Sequence, residues 1–451
     1  MTYNTPIGKS LYELKPIGLG SEFLSGYAFK GKDFGLYGHP IIKIKNIQDG
    51  VVSTKDSEFI PDEVITPKLN KFKLFSKDVL IAMTGQGSVG RVGKLVISKN
   101  ETPYLNQRVG KFISDEKSLN NEYLYYIIST KQYEKVLFDA GTGSGQPNLS
   151  PSIIKNIEIP FPPYVLQKKI AHILSTLDDK IELNRKMSQT LEEMAQALFK
   201  SWFVDFDPVH AKAKSNSDEE LEAAAKELGI SKEILELFPS EFEESELGMI
   251  PKGWEVSTIG NKLKVSLGGT PSRVNDSYWT EGTIPWINSG KVNEFRITEA
   301  SELITEEAVR KSSTKLLPKK TTVLAITGAT LGQVSLLEID SCANQSVIGL
   351  PETEELNYSF VYPMISYAIT DLISHQTGGA QQHINKGNVE NQRIVISSKE
   401  ELKEYVDIVK PILDKVEKLS FEIQTLQKTR DTLLPKLLSG ELDVSELDLE
   451  V

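Results

Sequence analysis

Two loops hold the residue types best suited to recognition chemistry: Gly141-Thr142-Gly143-Ser144-Gly145-Gln146-Pro147-Asn148 and Gly378-Gly379-Ala380-Gln381-Gln382-His383-Ile384-Asn385-Lys386. Glycine lets a backbone approach another surface closely, and side-chain amides pair with adenine edges through two hydrogen bonds or donate to phosphates. Ser144, Gln146 and Asn148 in the first loop, and Gln381, Gln382, His383, Asn385 and Lys386 in the second, are therefore candidate nucleic-acid contacts. Ser25-Gly26-Tyr27-Ala28-Phe29-Lys30 and Gly268-Gly269-Thr270-Pro271-Ser272-Arg273 again combine glycine, a hydroxyl or aromatic group and one cation. They add Ser25, Tyr27 and Lys30, and Thr270, Ser272 and Arg273. Thr84, Gln86, Ser88 and Arg91 lie around a Gly-rich stretch, with Thr327 and Thr330 around another. Lys43, Lys45, Asn106 and Arg108, and Trp286, Asn288, Lys291 and Asn344, complete the set. Any one of these polar turns or cations, taken singly, reads as solvated surface; their recurrence in order gives them weight.

Catalytic chemistry finds no comparable support. Phe161-Pro162-Pro163-Tyr164 has the Pro-Pro-Tyr of an adenine-methylating loop, but the residue before it must accept the amino group of a flipped base, which phenylalanine cannot do. Gly85-Gln86-Gly87-Ser88-Val89-Gly90-Arg91 lacks the Lys-Ser or Lys-Thr that ends a phosphate-binding loop. His39, His172, His210, His375 and His383 show no metal-ligand spacing, and Cys342, the single cysteine, reads as a small buried hydrophobe. The chain is expected to hold no metal and to catalyse nothing: it reads as a binder. A self-sufficient methyltransferase or nuclease, and a coiled-coil scaffold that binds protein alone, are the rival readings.

The elements that position these residues follow from an internal repeat of about 235 to 245 residues. Pro40-Ile41-Ile42-Lys43 corresponds to Pro285-Trp286-Ile287-Asn288, and Leu80-Ile81-Ala82-Met83-Thr84-Gly85 to Leu324-Ala325-Ile326-Thr327-Gly328. Asn106-Gln107-Arg108-Val109 corresponds to Asn344-Gln345-Ser346-Val347, and Gly145-Gln146 to Ala380-Gln381. Gln189-Thr190-Leu191 then reappears as Gln424-Thr425-Leu426. Each half opens with short strand-like runs and turn dipeptides and continues into a long helical pattern. Ile170, Ile173, Leu177, Met187, Leu191, Met194 and Leu198 keep a 3,4 spacing, with Lys180 and Asn184 at seam positions. Val406, Val409, Leu413, Val416, Leu419, Ile423, Leu426 and Leu433 nearly repeat it. Helices with so narrow an apolar seam need partners, and each can serve the other as an antiparallel pair. The expected architecture is α/β (α+β): two globular heads, a helical bar and pseudo-twofold symmetry.

Composition agrees with this plan. A chain of 451 residues with 39% hydrophobic and 25% charged residues is neither fibrous nor wholly disordered and can bury more than one core. No apolar run is long enough to span a bilayer, and the N-terminal stretch lacks the features of a signal peptide, so the expected location is the cytoplasm. The net charge of −11 argues against nucleic acid only superficially, because the acidity sits mainly in the segments that connect the heads.

Several ordered stretches carry a resemblance. They include Gly26 to Lys30, Ile81 to Gly93, Leu105 to Lys111, Gly143 to Ser150, Leu177 to Asn184 and Leu198 to Phe206. The second half supplies Gly269 to Arg273, Ile284 to Ile287, Thr327 to Thr330, Ala343 to Ser346 and Leu433 to Gly440. Over nearly its whole length the chain resembles the specificity (S) subunit of a bacterial type I restriction-modification system. The resemblance implies two target recognition domains joined by two long antiparallel coiled-coil helices, each domain reading one half of an asymmetric bipartite site in double-stranded DNA. It implies two methyltransferase subunits docked on the helices and a complex that admits motor-nuclease (restriction) subunits. This chain would bind no cofactor; S-adenosylmethionine, and ATP with magnesium, would belong to the partners. The expected partner contacts are Leu177, Asn184, Leu198, Trp202, Phe203, Phe206, Leu426 and Leu433. The expected divisions are 1–163 for the first recognition domain, 164–204 for the central helix, 205–250 for an acidic linker, 251–398 for the second recognition domain, 399–440 for the C-terminal helix and 441–451 for an acidic tail.

Overall fold

A computed structural model of the chain describes residues 2–97, 101–142, 147–374 and 383–449. The chain forms two units, one of Met1–Ile181 with Thr425–Val451, the other of Glu182–Gln424. In the first unit, Val79–Ala82 has all four side chains buried, the pattern of a strand covered on both faces. It pairs antiparallel with Val92–Val96 on one side and with Val109–Ser114 on the other. Gly50–Ser53 then lies parallel to Val92–Val96, and Ser21–Ser25 antiparallel to Val109–Ser114. In the second unit Thr322–Ala325, also fully buried, pairs antiparallel with Val334–Leu336 and Val347–Leu350, and Ser266–Leu267 closes that edge.

A second, smaller sheet repeats as well. Tyr104–Leu105 runs parallel to His39–Ile42, with Glu58–Ile60 antiparallel on its far side. Ser341–Ala343 likewise runs parallel to Ile284–Ile287, with Glu302–Ile304 on the far side. A parallel pair needs a crossover connection, so the same crossover in both units is strong evidence of duplication. Helices cover the larger sheets. Asn121–Ile128, capped where Asn120 accepts from Tyr123 N–H at 3.0 Å, buries Tyr123, Leu124 and Ile127. In the other unit Tyr358–Ser374 buries Phe360, Val361 and Ile365. Cys342 is buried in its strand.

The two long helices, Tyr164–Phe203 and Lys399–Ser439, each contribute to both units. In the first unit Asp178 meets Arg430 at 2.8 Å, and Ile170 and Leu174 share a core with Leu437 and Leu438. In the second unit Phe203 stacks edge-on against Tyr405 at 4.9 Å, and Ala195 and Phe199 share a core with Val409 and Leu413. Advancing along one helix retreats along the other, so they pair antiparallel. Asn184 is fully buried, whereas Lys180 is exposed and does not sit in the seam. Pro411 lies inside the second long helix.

The stretch expected to be an acidic linker with helical pieces at Leu221 to Leu228 and Glu233 to Leu237 has those helices and packs into the second unit. It forms helices Asp207–Lys214, Asp218–Leu228 and Lys232–Leu237 and a hairpin of Phe242–Ser245 with Gly248–Pro251. Val209 and Phe238 enter the core that holds Trp202 and Trp254. The acidic tail is anchored too: Val444 is buried in the first unit, and Lys169 Nζ donates to Ser445 O at 2.6 Å.

Both chain ends belong to the first unit, where Leu11 N–H donates to Ser439 O at 2.8 Å. Joining the ends through a short linker and opening the chain within Ser215 to Asp218, between two helices, is expected to give a folded protein. Circular dichroism and thermal melting of the permuted chain check this; a permutant that fails to fold shows that the ends are not free to be joined.

Candidate nucleic-acid interface

Four segments of the first unit end side by side. Gly26 N–H donates to Val109 O at 3.0 Å, Tyr27 N–H donates to Leu105 O at 2.9 Å, and Tyr27 C=O accepts from Gln107 N–H at 2.9 Å. Asn106 N–H donates to Ile42 O at 3.2 Å, Met83 N–H to Arg108 O at 2.9 Å and Leu149 N–H to Met83 O at 2.8 Å. The ends of Ser21–Ser25, His39–Ile42 and Val79–Ala82 and the segment at 147–150 thus converge on Asn106-Gln107-Arg108, forming one rim.

The second unit builds the same rim. Gly268 N–H donates to Val347 O at 2.9 Å, Gly269 N–H to Ala343 O at 2.8 Å and Asn344 N–H to Ile287 O at 2.9 Å. Ile326 N–H donates to Ser346 O at 2.9 Å, and Ile384 N–H to Ile326 O at 3.1 Å. The close approach requires glycine: a Cβ on Gly26 would stand 2.1 Å from Asn106 O, and one on Gly268 2.1 Å from Asn344 O. The backbone is therefore shared while the side chains it carries differ.

Most of the expected contacts in the first unit lie on this rim or in the turns that leave it. Tyr27, Gln86, Arg108 and Asn148 are exposed; Ser25, Thr84 and Ser88 are half-buried. Lys30, Lys45 and Arg91 are exposed, and with Arg108 they have no carboxylate in salt-bridge range among the described residues. Lys43 differs, being paired with Glu58 at 2.6 Å and standing 4.3 Å over the Phe34 ring. Asn106 is buried, so it shapes the turn instead of reaching outward.

In the second unit Thr270 Oγ1 donates to Gln345 Oε1 at 2.5 Å on the rim itself. Ser272, Asn288, His383, Asn385 and Lys386 are exposed, and Asn344, Thr327 and Thr330 are half-buried. Asn288 and Asn385 spend their side chains as helix caps, accepting from Lys291 N–H at 3.2 Å and Asn388 N–H at 2.9 Å. Trp286 is buried, with its indole N–H donating to Gly269 O at 3.2 Å, so it supports the rim from beneath. The expected cations are engaged: Lys291 with Glu294 at 2.8 Å and Glu299 at 3.2 Å, Lys386 with Glu390 at 3.2 Å, and Arg273 with Glu302. Ser144, Gln146, Gln381 and Gln382 lie outside the described residues.

Two exposed residues of the rim escaped the sequence reading. Gln107 and Gln345 occupy corresponding places beside Tyr27 and Thr270. The matched Asn-Gln pairs of the repeat were the available signal.

The expected partner contacts divide differently. Trp202 and Phe203 are buried in the core of the second unit and offer no surface. Phe206 and Leu198 pack against that core, Leu433 against the core of the first unit, and Asn184 is buried. Leu177 and Leu426 remain partly exposed, and the most exposed apolar side chains of the first long helix are Val165, Leu183 and Met194.

Buried charges fasten the second unit to its helical segments. Arg296, almost fully buried, donates to Glu192 of the first long helix and to Tyr362 Oη at 3.3 Å, with Glu338 at 3.6 Å. Lys320 Nζ bridges Glu338 and Glu417 of the second long helix, each at 2.8 Å. Burial pushes the Glu338 carboxyl above its ordinary value, against the pull of Lys320 and Arg296. In the first unit Asp178 accepts from Tyr126 Oη at 2.7 Å and from Arg430 at 2.8 Å. Burial, with the Asp178 charge, pushes the Tyr125 hydroxyl up to about 12. Among the described residues no helix is long and apolar enough to cross a membrane.

The comparisons agree with this geometry. The family model described as type I restriction modification DNA specificity domain matches residues 18–193 and 251–428, once in each half. The type I restriction enzyme MjaIX specificity subunit of Methanocaldococcus jannaschii is 30% identical over 380 residues, covering 83% of this chain and 80% of that protein. The HindI specificity subunit of Haemophilus influenzae is 30% identical over 373 residues, covering 74% and 80%. The crystal structure of a type I restriction-modification S subunit from M. genitalium shares the fold, with a TM-score of 0.59 at 16% identity over 95% of this chain and 96% of that one. With a specificity domain matched in each half, and relatives similar over most of their length, the chain belongs to the family of type I restriction-modification DNA specificity subunits, whose part is DNA recognition without catalysis.

Proposed function

We propose that the chain reads an asymmetric bipartite site in double-stranded DNA, one rim per half-site, and docks two methyltransferase subunits on its long helices, in a complex that motor-nuclease subunits join. The carrying observation is one backbone rim built twice with different side chains at matched places: Tyr27, Arg108 and Asn148 in one unit, Gly269, Ser346 and His383 in the other. Such a pair suits two unrelated half-sites, because base edges are read by side chains while the backbone sets their position. S-adenosylmethionine, and ATP with magnesium, are assigned to the partner subunits, and the complex works in the cytoplasm, where chromosomal DNA is. Exchanging residues 1 to 160 for the same segment of a relative should change one half-site and leave the other intact, as read by mapping methylated adenines in a host that carries the whole system. If both half-sites changed together, the one-rim-per-half-site reading would be wrong.

A further inference from the structure

Arg273 is held in an unusual setting. Its guanidinium lies 3.5 Å over the Trp279 ring and 5.2 Å from the centre of Trp286. Both terminal nitrogens donate to Glu302, Nη1 to Oε2 at 2.6 Å and Nη2 to Oε1 at 2.7 Å. The platform is fixed by the fold. Trp279 N–H donates to Ser272 O at 3.1 Å, the two tryptophans meet edge to face at 5.3 Å, and Trp286 reaches the rim through Gly269 O. Glu302 is placed by strand pairing, directly opposite Trp286 in the ladder. A flat arginine fork therefore stands beside the rim of the second unit, about half exposed, with a carboxylate filling the place of a two-acceptor ligand.

We propose that Arg273 reads a guanine, that Glu302 occupies its fork while DNA is absent, and that guanine N7 and O6 displace the carboxylate when the second unit engages its half-site. The inference rests on the DNA-reading function proposed above and names a residue that sets its specificity. An aromatic shelf keeps the fork planar and preoriented, the arrangement that bidentate pairing with a guanine edge requires. A half-exposed ion pair is typically worth a few-fold in an equilibrium constant, whereas one good bidentate base contact is worth about five- to a hundredfold. The exchange therefore favours guanine. A base pair without two acceptors at that place gives Arg273 no reason to leave Glu302, so the carboxylate sharpens discrimination.

The test uses the full chain assembled with its methyltransferase subunits, and duplexes of the methylated site with each position of the second unit's half-site replaced in turn. Arg273→Ala should weaken target binding by about a few-fold to thirtyfold, the value of the base contact less that of the displaced ion pair, and abolish discrimination at one G·C pair. Arg273→Lys should restore part of the affinity without the discrimination. Glu302→Gln should tighten target binding a few-fold. Replacing the guanine by 7-deazaguanine, which lacks N7, should weaken binding by the wild-type complex and leave the Arg273→Ala complex unaffected. Equal weakening on every duplex by Arg273→Ala would identify a phosphate contact and overturn the proposal, as would unchanged binding. A wild-type complex that binds no duplex would instead overturn the DNA-reading function itself.

Discussion

Replacing Arg296 by alanine is expected to destabilise the second unit by about 3–5 kcal/mol, because it removes a buried cation from two buried carboxylates and leaves one of them, Glu192, with none. The Arg296 side chain is 1% exposed, the Glu338 side chain 0% and the Glu192 side chain 11%, so water can replace little of what is lost. Lys320 still balances Glu338, but Glu192 has no other cation within salt-bridge distance among the described residues. All four tryptophans, Trp202, Trp254, Trp279 and Trp286, belong to the second unit, so tryptophan fluorescence during urea unfolding reports on that unit alone. The transition midpoint should fall sharply at an unchanged slope. A drop corresponding to less than about 1 kcal/mol, the value of an exposed pair, would show that the network is hydrated and contributes little. Changing Arg296 to methionine, with Glu192 and Glu338 both replaced by apolar residues, should recover most of the loss, since a buried ionic cluster often gives no more stability than packed apolar side chains. What the ionic cluster supplies is then orientation: it joins residues of both long helices to the sheet that carries the rim.

The repeat was legible because duplication keeps the residues that the backbone demands. Gly26 and Gly268 recur because a neighbouring carbonyl leaves no room for a Cβ, and the buried runs Val79–Ala82 and Thr322–Ala325 recur as central strands. The seam was legible in outline and misplaced in detail. Spacing alone put both Lys180 and Asn184 inside, but an α-helix drifts against a seven-residue repeat, and only Asn184 is buried. Trp202 and Phe203 were expected as partner contacts from the family resemblance, but they are covered by the segment 205–250. Its burial of Val209 and Phe238 against Trp202 is long-range packing that periodicity cannot reveal. The carboxylate that holds Arg273 is hidden for the same reason. Arg273 meets Glu302 only because strand Ile284–Ile287 pairs with Glu302–Ile304, a contact absent from the local sequence.

The rim glycines give the second large effect. Gly26→Ala and Gly268→Ala each place a Cβ 2.1 Å from a carbonyl oxygen of the main chain, Asn106 O in one unit and Asn344 O in the other. Neither obstacle is a flexible side chain, so relief requires the strand end and the Asn-Gln turn to separate by roughly 1 Å, a displacement that can cost about a hundredfold where positioned groups must act together. The Tyr27 and Gln107 hydrogen bonds of the first rim, or the Gly269 and Asn344 hydrogen bonds of the second, would break with it. Under the proposed function, in which the complex engages both half-sites, either single substitution is expected to lower methylation in the host by about a hundredfold or more. Overpacking also costs about 1–3 kcal/mol of stability, but in different places: Gly268→Ala should move the tryptophan-reported unfolding of the second unit, whereas Gly26→Ala should leave it unchanged. Gly31→Ala is the control, for a Cβ there meets nothing within 4 Å, and methylation should be normal. Normal methylation by the Gly26→Ala complex would mean that the first rim, although built as the second is, does not position the contacts that read DNA.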